Sequence, residues 1–264
     1  QLLPQTQIED TSRTNSSPVV NQPETSISVH QLSPEEIHDL FTKDRESSMA
    51  VQSYILTCSS SVFDHLVQFV FLDFRKLITD KFGNYILQKA FYRSQLLRSE
   101  VVIYCQCNFF RLACNEFASR CMQVLVEFEP GFRKFCLKAF EANTSKYISY
   151  ISAVFLLSIA IRRAESLSEY IFVRKILVAD PETQMASKYF KRILVTFVEV
   201  CPSSELPIIF RTIDLNSNIC SHFREKFNSY LFLQFLEREY TPVWKLLERT
   251  LLTEPVLLDR KSVV

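Results

Sequence analysis

The sequence predicts an all-α chain of stacked repeats, and three observations carry that prediction. Only 2 of the 264 residues are glycine, while 23 are phenylalanine. So few glycines cannot furnish the turns of a many-stranded β protein or a Gly-rich phosphate loop. Apolar residues recur at helical spacing from about Pro34 to about Leu258, with short polar connections between the runs. Finally, one pattern of caps, aromatics and glutamines returns about every 36 residues. Apolar residues at 47% and charged residues at 22% supply a core and exclude global disorder. The 30 basic and 29 acidic residues leave a net charge of +1, which excludes polyanion binding through bulk charge.

Residues 1–31 are rich in Gln, Ser, Thr, Asn and Pro and are expected to form a disordered tail; residues 32–264 are expected to form the repeat domain. The first helix is expected at Pro34. Ser33 can cap it, Pro34 suits its first position, and Glu35 and Glu36 complement its dipole. The uncharged run from Tyr147 to Ile161 has 15 residues. A membrane span needs about 20, so a buried core helix is expected there. Pro181, Pro202 and Pro207 read as inter-helix loops. A last helix around Pro242 to Leu252, carrying Trp244, is expected to cap the array.

The repeat is clearest in KDRESSMAVQ (43–52), TDKFGNYILQ (79–88) and CNEFASRCMQ (114–123), with fainter copies at 187–195 and 225–233. Ser48, Asn84 and Ser119 occupy one reference position and are separated by 36 and 35 residues; Lys191 and Ser229 continue it. Between 119 and 191 lie two periods, so one copy lacks a clear signature near 153–157. Four residues before the reference stand Asp44, Asp80, Asn115 and Ser187, all good N-cap residues. Two before it stand Phe82, Phe117, Tyr189 and Phe227; eight after it stand Glu127, Glu199 and Glu237. A unit of this length has room for two or three helices and cannot bury its apolar face alone. About six such units, stacked as a curved, right-handed α-solenoid, account for the chain after residue 33.

In the first three units the reference residue, the next residue and the fourth residue on are Ser48-Met49-Gln52, Asn84-Tyr85-Gln88 and Ser119-Arg120-Gln123. Residues i and i+4 share a helix face. A small polar group and a glutamine amide therefore point the same way, beside a flat or long side chain. That is the chemistry needed to hold an unpaired base, with polar groups on its edge and a planar or polarizable group on its face.

KFGNYILQKAF (81–91) resembles the core of a Pumilio/FBF (PUF) repeat, and KDRESSMAVQ and NEFASRCMQVLVE resemble neighbouring copies. The resemblance runs over about residues 34–252 and is specific in the first three units. It implies a crescent of three-helix repeats that binds single-stranded RNA, one base per repeat, with the RNA antiparallel to the protein. By the family's pairing rules Asn84 with Gln88 is a uracil-type pair stacked by Tyr85. Ser119 with Gln123 is adenine-type, stacked by Arg120. Ser48 with Gln52 is adenine-type, with Met49 in place of the usual flat residue. The implied read is 5′-AUA-3′. The fifth unit offers Lys191-Arg192-Val195 and the sixth Ser229-Tyr230-Leu233. Valine and leucine cannot hydrogen-bond a base, but Arg192 and Tyr230 can stack and Lys191 can meet a phosphate. The resemblance further implies a cytoplasmic regulator of messenger RNA that recruits protein effectors.

Two other readings remain open: a protein-interaction solenoid, and a nucleolar factor that grips ribosomal RNA by its phosphates. Enzymatic function is not expected. His30, His38, His65 and His222 have no catalytic partner at a recognisable spacing, and no nucleophile elbow, zincin or P-loop motif occurs. The eight cysteines include no C-x-x-C and are expected as buried free thiols. Cys105, Cys107, Cys114 and Cys121 cluster in sequence, with Cys114 and Cys121 expected on one helix, without a zinc-knuckle pattern. No metal, cofactor, small-molecule substrate or membrane partner is expected. The start at Gln1 suggests a fragment or a processed chain, no signal peptide is visible, and the glycosylation triplets at Asn15 and Asn143 read as chance.

Overall fold

The computed structural model describes residues 34–213 and 226–253. The expected tail over 1–31, the Ser33 cap and the region around Leu258 lie outside the described residues. Among those described there are sixteen α-helices, which fall into six units. The first unit holds α1 (Pro34–Thr42), α2 (Arg45–Thr57) and α3 (Ser60–Leu77); the second holds α4 (Gly83–Arg93) and α5 (Gln95–Cys107). In the second, a turn over residues 79–82 stands where the first unit has its short leading helix. The third holds α6 (Phe109–Ala113), α7 (Glu116–Phe128) and α8 (Pro130–Ala142); the fourth α9 (Thr144–Tyr147), α10 (Ile151–Arg162) and α11 (Phe172–Ala179). The fifth holds α12 (Pro181–Ala186), α13 (Lys188–Val200) and α14 (Leu206–Ile213), and the sixth α15 (Lys226–Glu237) and α16 (Thr241–Thr253). The central helices α2, α4, α7, α10, α13 and α15 pack side by side in chain order and form one continuous layer.

The recurring caps set the start of these central helices. Asp44 accepts a hydrogen bond from the Ser47 amide at 2.8 Å, and Asp80 accepts from Phe82 at 2.8 Å and Gly83 at 2.6 Å. Asn115 accepts from Phe117 at 3.0 Å and Ala118 at 2.8 Å, and Ser187 from Phe190 at 3.2 Å. Each satisfies amides that the first turn leaves without an intrahelical partner. A Cβ on Gly83 would lie 2.7 Å from Leu77 Cδ2, so glycine lets α4 approach the end of α3 closely. The prolines correct one expectation. Pro181 opens α12 and Pro207 is the second residue of α14, rather than loop residues. Proline suits a first turn because its missing N–H would have no partner there.

The apolar run at 147–161 becomes the end of α9 and most of α10, whose Ala153, Leu156, Leu157 and Ala160 are fully buried. No helix among the described residues is long and apolar enough to cross a membrane. Phe109, Phe140 and Tyr147 form an edge-to-face cluster that ties α6, α8 and α9 together, with centroids 4.8–5.7 Å apart. Cys105, Cys121 and Cys136 are buried, and burial pushes the Cys105 thiol up to about 12. Cys114 ends α6 and so does not share α7 with Cys121 as expected. No group of metal-ligating residues occurs among the described residues.

Charged clamps join successive units. Arg98 pairs with Glu129 at 2.8 Å, Arg133 with Glu165, and Arg174 with Glu205 at 3.1 Å. The partners are 31 or 32 residues apart each time, so this is one device used three times. A second device recurs at the ends of the stack. Arg93 donates to the carbonyls of Ile55 and Cys58 at the end of α2, and Arg238 donates to those of Val198, Glu199 and Cys201 at the end of α13. Both arginines lie nine residues after their unit's reference position. The fourth unit bridges both neighbours: Arg163 pairs with Glu127 at 3.0 Å and Arg162 with Glu199 at 2.7 Å. Two of the three recurring glutamates thereby acquire a partner.

Candidate nucleic-acid interface

The six central helices display one register. The residue after the reference position is Met49, Tyr85, Arg120, Phe155, Arg192 or Tyr230, and all are exposed except Arg192, which is half-buried. Phe155 belongs to the unit whose signature the sequence hides. Its full triplet is Val154-Phe155-Ser158, with Val154 standing 35 residues after Ser119 and 37 before Lys191. Spacing alone points to that position, but valine there breaks the polar pattern by which the other copies are recognised.

The reference residues lie beneath the surface. Ser48 is 1% exposed, Asn84 0%, Ser119 1% and Lys191 6%. Ser48 Oγ donates across the helix interface to the Phe82 carbonyl at 3.2 Å, and Asn84 Nδ2 donates to the carbonyls of Asp80 at 2.8 Å and Lys81 at 2.9 Å. Ser119 Oγ donates to the Glu116 carbonyl at 3.3 Å. The sequence reading set both polar groups of each pair on the surface, and Lys191 at a phosphate. Close packing of adjacent central helices instead buries all four, and Ser48, Asn84 and Ser119 turn to backbone carbonyls, because a buried polar group must find a partner.

The glutamines sit above them, half-buried. Gln52 Nε2 donates to Ser48 Oγ at 3.1 Å, and Gln88 Nε2 donates to Asn84 Oδ1 at 2.9 Å. Each reference side chain thus holds its glutamine in place. A primary amide keeps a second N–H and a carbonyl oxygen for another partner. Gln123 occupies the same place on α7. In the later units this place is taken by Ser158, Val195 and Leu233. Ser158 Oγ is buried with no partner among the described residues, and Leu233 is 45% exposed.

Neighbouring units meet through their exposed residues. Arg120 donates to the Tyr85 hydroxyl at 2.5 Å and its guanidinium lies 5.9 Å from the ring centroid. The Arg192 guanidinium lies 4.0 Å from the Phe155 ring centroid. These are the paired faces between which a flat ring could be held, Tyr85 with Arg120 between units two and three and Phe155 with Arg192 between units four and five. Ser229 and Tyr230 stand in the same register on α15, with Tyr230 48% exposed; the side chain of Phe227 lies outside the described residues.

No protein-family model and no curated protein matches this chain. Solved structures do. It is similar to the Puf3 RNA-binding domain bound to a Cox17 RNA 3′ UTR recognition sequence, with 21% identity and TM-score 0.67 over 78% of this chain and 61% of that one. It is similar to PUF-8 in complex with PBE-RNA, with 18% identity and TM-score 0.67 over 85% and 66% of the two chains. It is also similar to the RNA-binding domain of yeast Puf5p bound to MFA2 RNA, with 18% identity and TM-score 0.58 over 85% and 64%. The chain therefore has the fold of these domains, an α-solenoid crescent of Pumilio-type repeats, and spans about three-fifths to two-thirds of their length.

Proposed function

We propose that this chain is a divergent Pumilio/FBF (PUF) protein that binds single-stranded RNA along the layer formed by α2, α4, α7, α10, α13 and α15. The observation that carries the proposal is the repeated register: an exposed stacking residue and, one turn on, a glutamine held by a buried polar partner, on helices that pack in order. Each stacked base contributes about 1–3 kcal/mol. Three edge-reading units with partial contacts elsewhere correspond to affinities on the order of micromolar to tens of nanomolar.

The finer reading follows the resemblance. Gln88 with Asn84 reads uracil beside Tyr85. Gln123 with Ser119 reads adenine beside Arg120, and Gln52 with Ser48 reads adenine beside Met49. With the strand antiparallel to the chain, the core element is 5′-AUA-3′. Arg192 and Tyr230 stack on further bases without reading them, and Lys191, buried in this structure, is not assigned a phosphate. The biological setting that fits is post-transcriptional control of messenger RNA in the cytoplasm, with protein effectors. Fluorescence anisotropy with a labelled AUA-containing RNA tests the reading. Tight binding that weakens on single-base changes within AUA is expected; equal binding to every sequence would refute it.

A protein-docking role draws on a different observation. Tyr230 and Leu233 expose apolar surface one turn apart on α15. Loss of effector recruitment in Leu233→Ser, with AUA binding unchanged, is the outcome that separates the two roles.

A further inference from the structure

The stacking row has a second row beside it. Four residues before each stacking residue stand Arg45, Glu116, Ile151 and Lys188, each opening its central helix one turn away on the same face, and Lys81 in the turn just before α4; all five are exposed. In the sixth unit the sequence places Lys226 there. Cations therefore hold this position in units one, two, five and six, and units three and four interrupt it. None of Arg45, Lys81 and Lys188 forms an ion pair among the described residues. Lys81 Nζ rests 5.1 Å from the Phe82 ring centroid and Lys188 Nζ 4.9 Å from that of Tyr189. These contacts keep the ammonium groups beside their own helix.

Helix economy does not explain the row. A cation in a first turn, as Arg45 and Lys188 are, or just before one, as Lys81 is, opposes the helix dipole, where an acidic residue is favoured. Glu116, by contrast, obeys that rule. The capping carboxylates of Asp44 and Asp80 accept hydrogen bonds from backbone amides of their own helices. Glu46 is exposed next to Arg45 and offsets it, so Lys81 and Lys188 are the stronger members.

We infer that this row is a phosphate rail: Lys81 and Lys188, with Arg45, neutralise the phosphodiesters of a strand whose bases lie against the stacking row, and the rail is broken at Glu116 and Ile151. The inference rests on the RNA-binding reading above and deepens it. Base contacts then set sequence preference in the first three units, while the rail supplies grip that ignores sequence. The break, at Glu116 in unit three and Ile151 in unit four, spans the junction between the edge-reading half of the track and the half that only stacks.

The salt dependence of binding tests it. For single strands the slope of log K against log salt changes by about 0.7 for each phosphate neutralised. Lys81→Gln with Lys188→Gln should flatten the slope by about 1.4 and weaken AUA and scrambled RNA by the same factor. Glu116→Lys should steepen it by about 0.7 and tighten both RNAs alike. This gain cannot arise from misfolding. RNA binding with slopes unchanged in both variants would overturn the rail and leave the base-reading proposal standing. A wild-type chain that binds no RNA at any salt would overturn both.

Discussion

The first three units and the last three share a scaffold but differ in what they offer at its surface. Both halves stack central helices in order, cap them with short polar side chains and lock the end of one central helix with an arginine from the next, Arg93 in one half and Arg238 in the other. Both carry exposed residues in the stacking row. Only the first half places a glutamine one turn on; the second has Ser158, Val195 and Leu233 there. The scaffold depends on caps, cores and clamps that lie away from this row, so the row is free to change without unfolding the stack. That separation explains how one chain can keep a regular fold while half of its base-edge chemistry is missing.

The largest effects should be alike in the two halves. Phe91 and Phe197 are both fully buried in the same core. Phe91→Ala and Phe197→Ala should each destabilise the protein by about 3–5 kcal/mol in urea unfolding. A cost confined to one half would show that the stack is not a single cooperative body. Next come the clamps, each of which gives charged hydrogen bonds to carbonyls at a helix end. Arg93→Ala and Arg238→Ala should each cost about 1.5–3 kcal/mol, read from the same unfolding curves.

Binding should divide the halves. Asn84→Ala with Gln88→Ala should weaken binding to AUA-containing RNA about tenfold or more in anisotropy titrations. Val195→Ala with Leu233→Ala should leave the preference for AUA intact, because neither wild-type side chain can pair with a base edge. Loss of the preference in the second variant would place base reading in the wrong half.

The smallest contrast concerns acid. The backbone hydrogen bond from Ser47 is the largest of the effects that hold the Asp44 carboxyl below its ordinary range. Its contribution is complete above the carboxyl range of the unfolded chain and fades as pH falls through the depressed folded value. Ser187, the corresponding cap in the fifth unit, has no such proton. Asp44→Asn should therefore flatten the acid limb of the stability curve, and Ser187→Asn should leave its shape unchanged.

Much of this was legible in the sequence. Asp44, Asn115 and Ser187 cap their helices where their spacing put them, and Asp80 does the same work from the turn before α4, whose N-cap is Phe82, since capping depends on a few neighbouring residues. The fourth unit was not recognised, because Val154 lacks the polar reference group and Tyr150, at its cap position, makes no side-chain cap. The burial of Ser48, Asn84 and Ser119 was hidden for another reason. A small polar residue beside a glutamine reads the same whether it faces solvent or a neighbouring backbone, and only the approach of the next helix decides. The ladder that joins Arg98 to Glu129 and Arg133 to Glu165 spans about one repeat, so no local pattern could pair its members.

Selection from a random RNA library against the whole chain tests the central claim most directly. Enrichment of AUA, with unselected positions on its 5′ side where the stacking-only units lie, is the predicted result. A library that emerges without any preferred bases, or with preferences that vanish in a Val195 and Leu233 variant and persist in an Asn84 and Gln88 variant, would contradict it.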